Sequence, residues 1–131
     1  MKIILMLCSL SVTVMVHAQE LDGKTLFAKN CSACHQLSGT GIEGAFPALK
    51  GNHFVQSEPT PVITTVLNGR GGMPTFATSL SDEKIAAILT YVRQAWGNGG
   101  AAVSMELVQA VRGQSGAANS MDSDVHLVPS H

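Results

Sequence analysis

The chain has 131 residues, of which 45% are hydrophobic and only 13% charged, with eight Lys or Arg against nine Asp or Glu. This length suits one compact domain and is short for two. A net charge of −1 with no basic stripe argues against nucleic acid as a partner, and the apolar content excludes disorder of the whole chain.

Met1 and Lys2 precede an apolar run from Ile3 to Val16, broken only by Ser9, Ser11 and Thr13. As a helix the run reaches about 21 Å at 1.5 Å per residue, short of a hydrocarbon core of roughly 30 Å. A basic start, an apolar stretch and the small residues around Val16-His17-Ala18 predict a cleavable secretory signal over residues 1–18. An uncleaved membrane anchor is the competing reading. A lipid anchor at Cys8 is disfavoured, because Leu7 stands where a small residue is needed. Cleavage leaves Cys31 and Cys34 as the cysteines of a periplasmic chain with no membrane span.

Asp22 to Cys34 reads as one helix, with Asp22 as its cap and Leu26 and Phe27 near helical spacing. From Gln36 to Pro59 no period holds, and Gly39, Gly41, Gly44 and Gly51 punctuate a long loop. Thr60-Pro61 offers a cap with proline at the first helical position, followed by an apolar stripe of Val62, Ile63, Val66 and Leu67. Gly69 stops that helix, and a second glycine-rich loop runs from Arg70 to Phe76. Ser81 caps the longest predicted helix, with Asp82 and Glu83 in its first turn. Ile85, Ile88, Leu89, Val92 and Trp96 line its face, and Gly97 ends it. A short helix over Ser104–Arg112 is expected to stop at Gly113, leaving residues 114–131 as a flexible tail. The fold class is all-α, built around long loops.

Long loops in a small domain point to a bound ligand. Cys31-Ser32-Ala33-Cys34-His35 is the C-x-x-C-H haem-attachment pattern. At the end of a helix, positions 31, 34 and 35 share one face, so two thiols can add to the haem vinyl groups while the imidazole reaches the iron. Half of a zinc site, a thioredoxin-like pair and a plain disulfide compete for the same residues. Zinc needs further ligands, and only His53, His126 and His131 remain. A redox pair normally follows a strand, and none is predicted before Cys31. For the second axial position a thioether is a soft, neutral donor. Met73 sits between Gly72 and Pro74 in a loop, whereas Met105 lies in a marginal helix and Met121 in the tail. The competing roles are core filling for Met73, and distal ligation by His53 instead.

In order along the chain, these motifs resemble the class I monohaem c-type cytochromes of bacteria. The likeness covers roughly residues 21 to 97. It implies a small all-α fold of three to five helices with glycine-rich loops wrapped around one covalently attached haem c. The cytochrome c domain is then residues 19–100, followed by a short helix over 101–113 and the tail. It also implies that Gly23 and Phe27 meet the C-terminal helix near Ile88 and Tyr91. The Pro47 carbonyl should accept the His35 Nδ1 proton, Leu49 should pack on the haem, and Gly72-Met73-Pro74 should form the distal loop.

Phe46, Phe54 and Phe76 are further packing candidates. Trp96 and Arg70 are weak candidates for propionate partners. A His35/Met73-ligated iron leaves no position for a substrate, so the expected function is electron transfer rather than enzymatic. The expected route runs from a dehydrogenase or quinol-oxidising complex to a terminal oxidase or reductase, with transient, weakly charged docking. A haem enzyme or gas sensor with a labile distal site, and a permanently bound dehydrogenase or reductase subunit, are the alternatives.

Overall fold

The computed structural model describes residues 22–125, with side chains as far as residue 117. The signal over 1–18 and the last part of the tail lie outside the described residues. Among the described residues there is no strand; six α-helices and a 3₁₀ turn follow in order. They are α1 (Gly23–Asn30), α2 (Ser32–His35), α3 (His53–Gln56), α4 (Pro59–Asn68), α5 (Asp82–Gln94), the 3₁₀ turn (Ala95–Gly97) and α6 (Met105–Val125). Two of these, α2 and α3, are single turns of four residues.

Local chemistry explains most of the boundaries. The Asp22 carboxylate accepts from the N–H groups of Lys24 and Thr25 at 3.1 and 3.2 Å, capping α1. The Thr25 hydroxyl donates to the same carboxylate and is the main reason its pKa lies below the ordinary value. The predicted single helix is broken at Cys31, whose φ of −126° lies outside the helical range. Helix α4 begins two residues earlier than its predicted start. Pro59 is its first residue, and the preceding Glu58 makes no side-chain cap bond. Proline's fixed φ and missing N–H suit that position.

Ser81 caps α5 as expected, but the helix ends at Gln94. Trp96 therefore belongs to the 3₁₀ turn, with φ +56°, and does not continue the face of α5. Helix α6 runs through Gly113 rather than stopping there. A glycine inside a helix costs about 1 kcal/mol relative to alanine, too little to end a helix that packing holds in place.

Helix α1 lies across α5, the most extensive helix pair of the fold. A Cβ on Gly23 would fall 2.1 Å from the Ala87 carbonyl oxygen, so only glycine allows this approach. At this crossing Ala87 stands where Ile88 was expected. Tyr91 makes its expected contact, with its ring 5.6 Å from that of Phe27. Trp96 completes an aromatic triad at 5.3 and 5.5 Å from the other two rings. Ile63 and Leu67 of α4, Ile85, Leu89 and Val92 of α5, and Val108 and Val111 of α6 close the core. The helix after Gly100 is thus part of the folded unit, packed on both α4 and α5.

Candidate haem site

The break at Cys31 starts a new turn that gathers the motif. Cys34 N–H and His35 N–H both donate to the Cys31 carbonyl, at 3.3 and 3.0 Å. Gln36, at φ +63°, then turns the chain away. His35 is buried, and its Nδ1 lies 3.0 Å from the Pro47 carbonyl oxygen, the contact implied by the resemblance. A carbonyl only accepts, so Nδ1 carries the proton and Nε2 keeps a lone pair for a metal. Gly41 makes this contact sterically possible. Its φ is +64°, and a Cβ there would fall 2.6 Å from the Pro47 carbonyl oxygen.

Cys31 and Cys34 are free and half-buried, so they form no disulfide with each other. Burial pushes the Cys31 thiol up to about 11, and the neighbouring Cys34 adds to the rise. A redox-active pair needs the opposite shift, which argues against the thioredoxin-like reading. Among the described residues no three His, Cys, Asp or Glu side chains gather to hold a metal ion.

The loop from Gln36 to Pro59 is tied down by groups that follow α5. Trp96 Nε1 donates to the Leu37 carbonyl at 3.1 Å, and the indole lies on Gly39. Asn98, buried, donates from Nδ2 to the carbonyls of Leu49 at 3.1 Å and Val92 at 2.9 Å. Its Oδ1 accepts from Gly51 N–H at 2.8 Å. The equally buried Arg93 donates to the carbonyls of Val55 at 2.6 Å and Ala101 at 2.8 Å. Sequence reasoning missed Asn98 and Arg93. No local pattern marks their distant partners.

Leu49 is half-buried at the edge of the core, with its N–H donating to the Gly39 carbonyl at 2.8 Å. Met73 is half-buried in a turn closed by two backbone bonds with Arg70, at 3.0 and 3.3 Å. Arg70 itself lies over the Phe54 ring, 5.9 Å from its centroid. Phe76 packs on the core, whereas Phe46 is half-buried outside it. His53 is exposed at the start of α3, and Met105 is exposed at the start of α6.

These residues fit a haem. Two free thiols and an oriented imidazole occupy one turn. The large apolar side chains of Leu37, Ile42 and Phe54 stand exposed along the chain that follows, as expected of residues that meet an apolar ligand. No helix among the described residues is long and apolar enough to cross a membrane.

Comparison with known proteins agrees. Residues 18–92, more than half of the chain, match the family described as cytochrome c oxidase, cbb3-type, subunit III. Cytochrome c6 of Leptolyngbya boryana is 36% identical over 77 residues, covering 57% of this chain and 91% of the relative. Cytochrome c-552 of Thermus thermophilus is 36% identical over 95 residues, covering 60% of this chain and 71% of the relative. The cytochrome c subunit of the quinone alcohol dehydrogenase of Gluconacetobacter polyoxogenes is 32% identical over 90 residues, 60% of this chain. The match spans only 19% of that larger subunit. Joined to the geometry of the Cys31–His35 turn, these matches give the conclusion that the chain belongs to the monohaem c-type cytochromes, which carry one covalently bound haem c.

Proposed function

We propose that this chain is a periplasmic electron carrier, delivered by the signal over residues 1–18. Cys31 and Cys34 would tether the haem through thioethers, and His35 and Met73 would ligate its iron. The bound haem supplies one-electron chemistry by cycling between Fe(III) and Fe(II). The Pro47 carbonyl fixes the His35 tautomer, and Leu49 packs against the macrocycle. The Met73 thioether, soft and neutral, raises the reduction potential by favouring the ferrous state.

The observation that carries this reading is the His35–Pro47 hydrogen bond beside two free thiols on one turn. The likeness to cytochrome c6 and cytochrome c-552 supports it. The loops on either side of the site carry few charges, namely Glu43, Lys50, Glu58 and Arg70. Transient docking to a dehydrogenase or quinol-oxidising donor, and to a terminal oxidase or reductase, should therefore depend only modestly on salt.

Optical spectra of the haem-loaded full chain test the assignment. A methionine–iron charge-transfer band in the ferric protein and slow carbon monoxide binding in the ferrous protein are expected. A high-spin ferric spectrum with fast carbon monoxide binding would instead mean a haem enzyme or gas sensor.

A second reading, a permanently bound subunit of a dehydrogenase or reductase, is favoured by the likeness to the quinone alcohol dehydrogenase subunit. Gel filtration of the protein extracted from its native source separates the two. A free carrier elutes at the size of the chain, and a subunit elutes with its complex.

A further inference from the structure

The segment between α4 and α5, which carries Met73, is tied from two sides. On one side it is bonded to the end of α4. Phe76 N–H donates to the Val66 carbonyl at 3.1 Å, Ala77 N–H to the Leu67 carbonyl at 3.2 Å, and the Thr75 hydroxyl also donates to Leu67. On the other side it is bonded to α6 through one side chain. Arg112 donates from Nε to the Asp82 carboxylate at 2.7 Å, from Nη2 to the Leu80 carbonyl at 3.1 Å, and from Nη1 to the Ala77 carbonyl. Ala77, four residues after Met73, is therefore held through its N–H by one helix and through its carbonyl by another.

The guanidinium is well placed to act as a clamp. Its planar fork can serve a carboxylate and two carbonyls at once, which an ammonium on a flexible stem cannot do in the same geometry. Only 29% of its side chain is exposed, and only 23% of that of Asp82, so water screens the cluster incompletely. Its backbone is anchored as well. Val108 and Val111, on the same helix, are buried in the core, and α6 packs on both α4 and α5. This helix lies beyond residues 18–92, the part matched by the family.

We infer that Arg112 is a positioning residue for the Met73 sulfur, set by a helix outside the family's matched core. The inference rests on the reading of Met73 as the axial ligand. Releasing the thioether from the iron requires the loop to swing outward, and the Arg112 bonds to Ala77 and Leu80 oppose that movement. Arg112 bonds Asp82, Leu80 and Ala77, and acts on Met73 only through the loop.

The test uses the haem-loaded full chain as wild type, Arg112→Ala, Arg112→Lys and Asp82→Asn. Three readouts are followed: the ferric methionine–iron band, the rate of carbon monoxide binding to the ferrous form, and the midpoint potential. In Arg112→Ala, carbon monoxide binding should speed up by about tenfold or more, the scale of a lost charge-assisted hydrogen bond. The band should weaken and the potential should fall. Arg112→Lys should lie between Arg112→Ala and wild type, because it keeps the ion pair while losing at least one carbonyl. Asp82→Asn, which leaves both carbonyl bonds in place, should have the smallest effect.

If Arg112→Ala lowers the melting temperature while all three readouts stay unchanged, the residue only fastens α6, and the proposal is wrong. Should Arg112→Ala yield no haem-loaded protein, Arg112→Lys decides by the same readouts. A wild-type protein without the ferric band marks a different failure, that of the Met73 assignment, and it overturns this proposal as well.

Discussion

The turn that bears Cys31, Cys34 and His35 and the loop that bears Met73 are held by different means. On the His35 side, the motif is local. Three residues share one helical turn, and the carbonyl that orients the imidazole lies only twelve positions further along the chain. The polypeptide after α5 then fastens this side through Trp96 and Asn98. The Met73 side is shaped locally too, but it is fastened by another helix. A two-bond turn with Arg70 shapes the loop, and its placement depends on the end of α4 and on a helix that follows the rest of the domain. Each side thus joins a local turn to ties from later in the chain, the His35 side to Trp96 and Asn98 and the Met73 side to Arg112. Changes in the C-terminal helix should therefore reach the distal face and leave the proximal one intact.

The largest expected effect comes from removing the tether. The helices pack around a small core, and about 100 folded residues bury only a limited share of their own surface. A Cys31→Ser/Cys34→Ser chain made without haem should therefore lose most of its helical circular dichroism. Native-like ellipticity would mean that the helices need no haem to fold. Met73→Ala comes next and strikes the distal side alone. The covalent attachment should survive, the ferric methionine band should vanish, and carbon monoxide should bind. Axial identity moves haem potentials over about 0.8 V, so a fall on the order of 0.1–0.3 V is expected by potentiometric titration. An unchanged potential and spectrum would remove Met73 from the ligand set.

Asn98→Ala, the mildest of these changes, strikes the other side. It strands the Gly51 N–H and removes a bond from each of the Leu49 and Val92 carbonyls, at a cost on the order of 3 kcal/mol in denaturant unfolding. The methionine–iron band should stay intact. Loss of that band in Asn98→Ala would show that the two sides are not held independently.

What the sequence revealed divides along the same line. Ser81 as a cap, Gly69 as a stop and the C-x-x-C-H turn were legible because each is a local signal, complete within a few residues. The crossing of Gly23 falls on the expected turn of α5, at Ala87 and Tyr91, since helical spacing locates a face more securely than a single contact. Trp96 was misread because Gly97 looked like the end of α5, which in fact ends at Gln94. Gly113 was misread for the opposite reason, because a stop signal carries little weight once Val108 and Val111 have packed the helix. Arg112 and Asn98 were illegible as anchors. Most of their partners are backbone carbonyls and N–H groups, identical at every position, and most lie thirty or more residues away.

The crossing of α1 over α5 at Gly23 also bears on the order of events as the chain folds. The two helices are separated in the chain by α2, α3 and α4, and the contact between them closes that stretch into one large loop. Such a closure carries its entropic cost before most native contacts reward it, which places it late and makes it slow. Until α5 has docked, the turn with its two thiols remains open to whatever delivers the haem. The glycine that lets two helices touch thus also sets the moment at which the site closes.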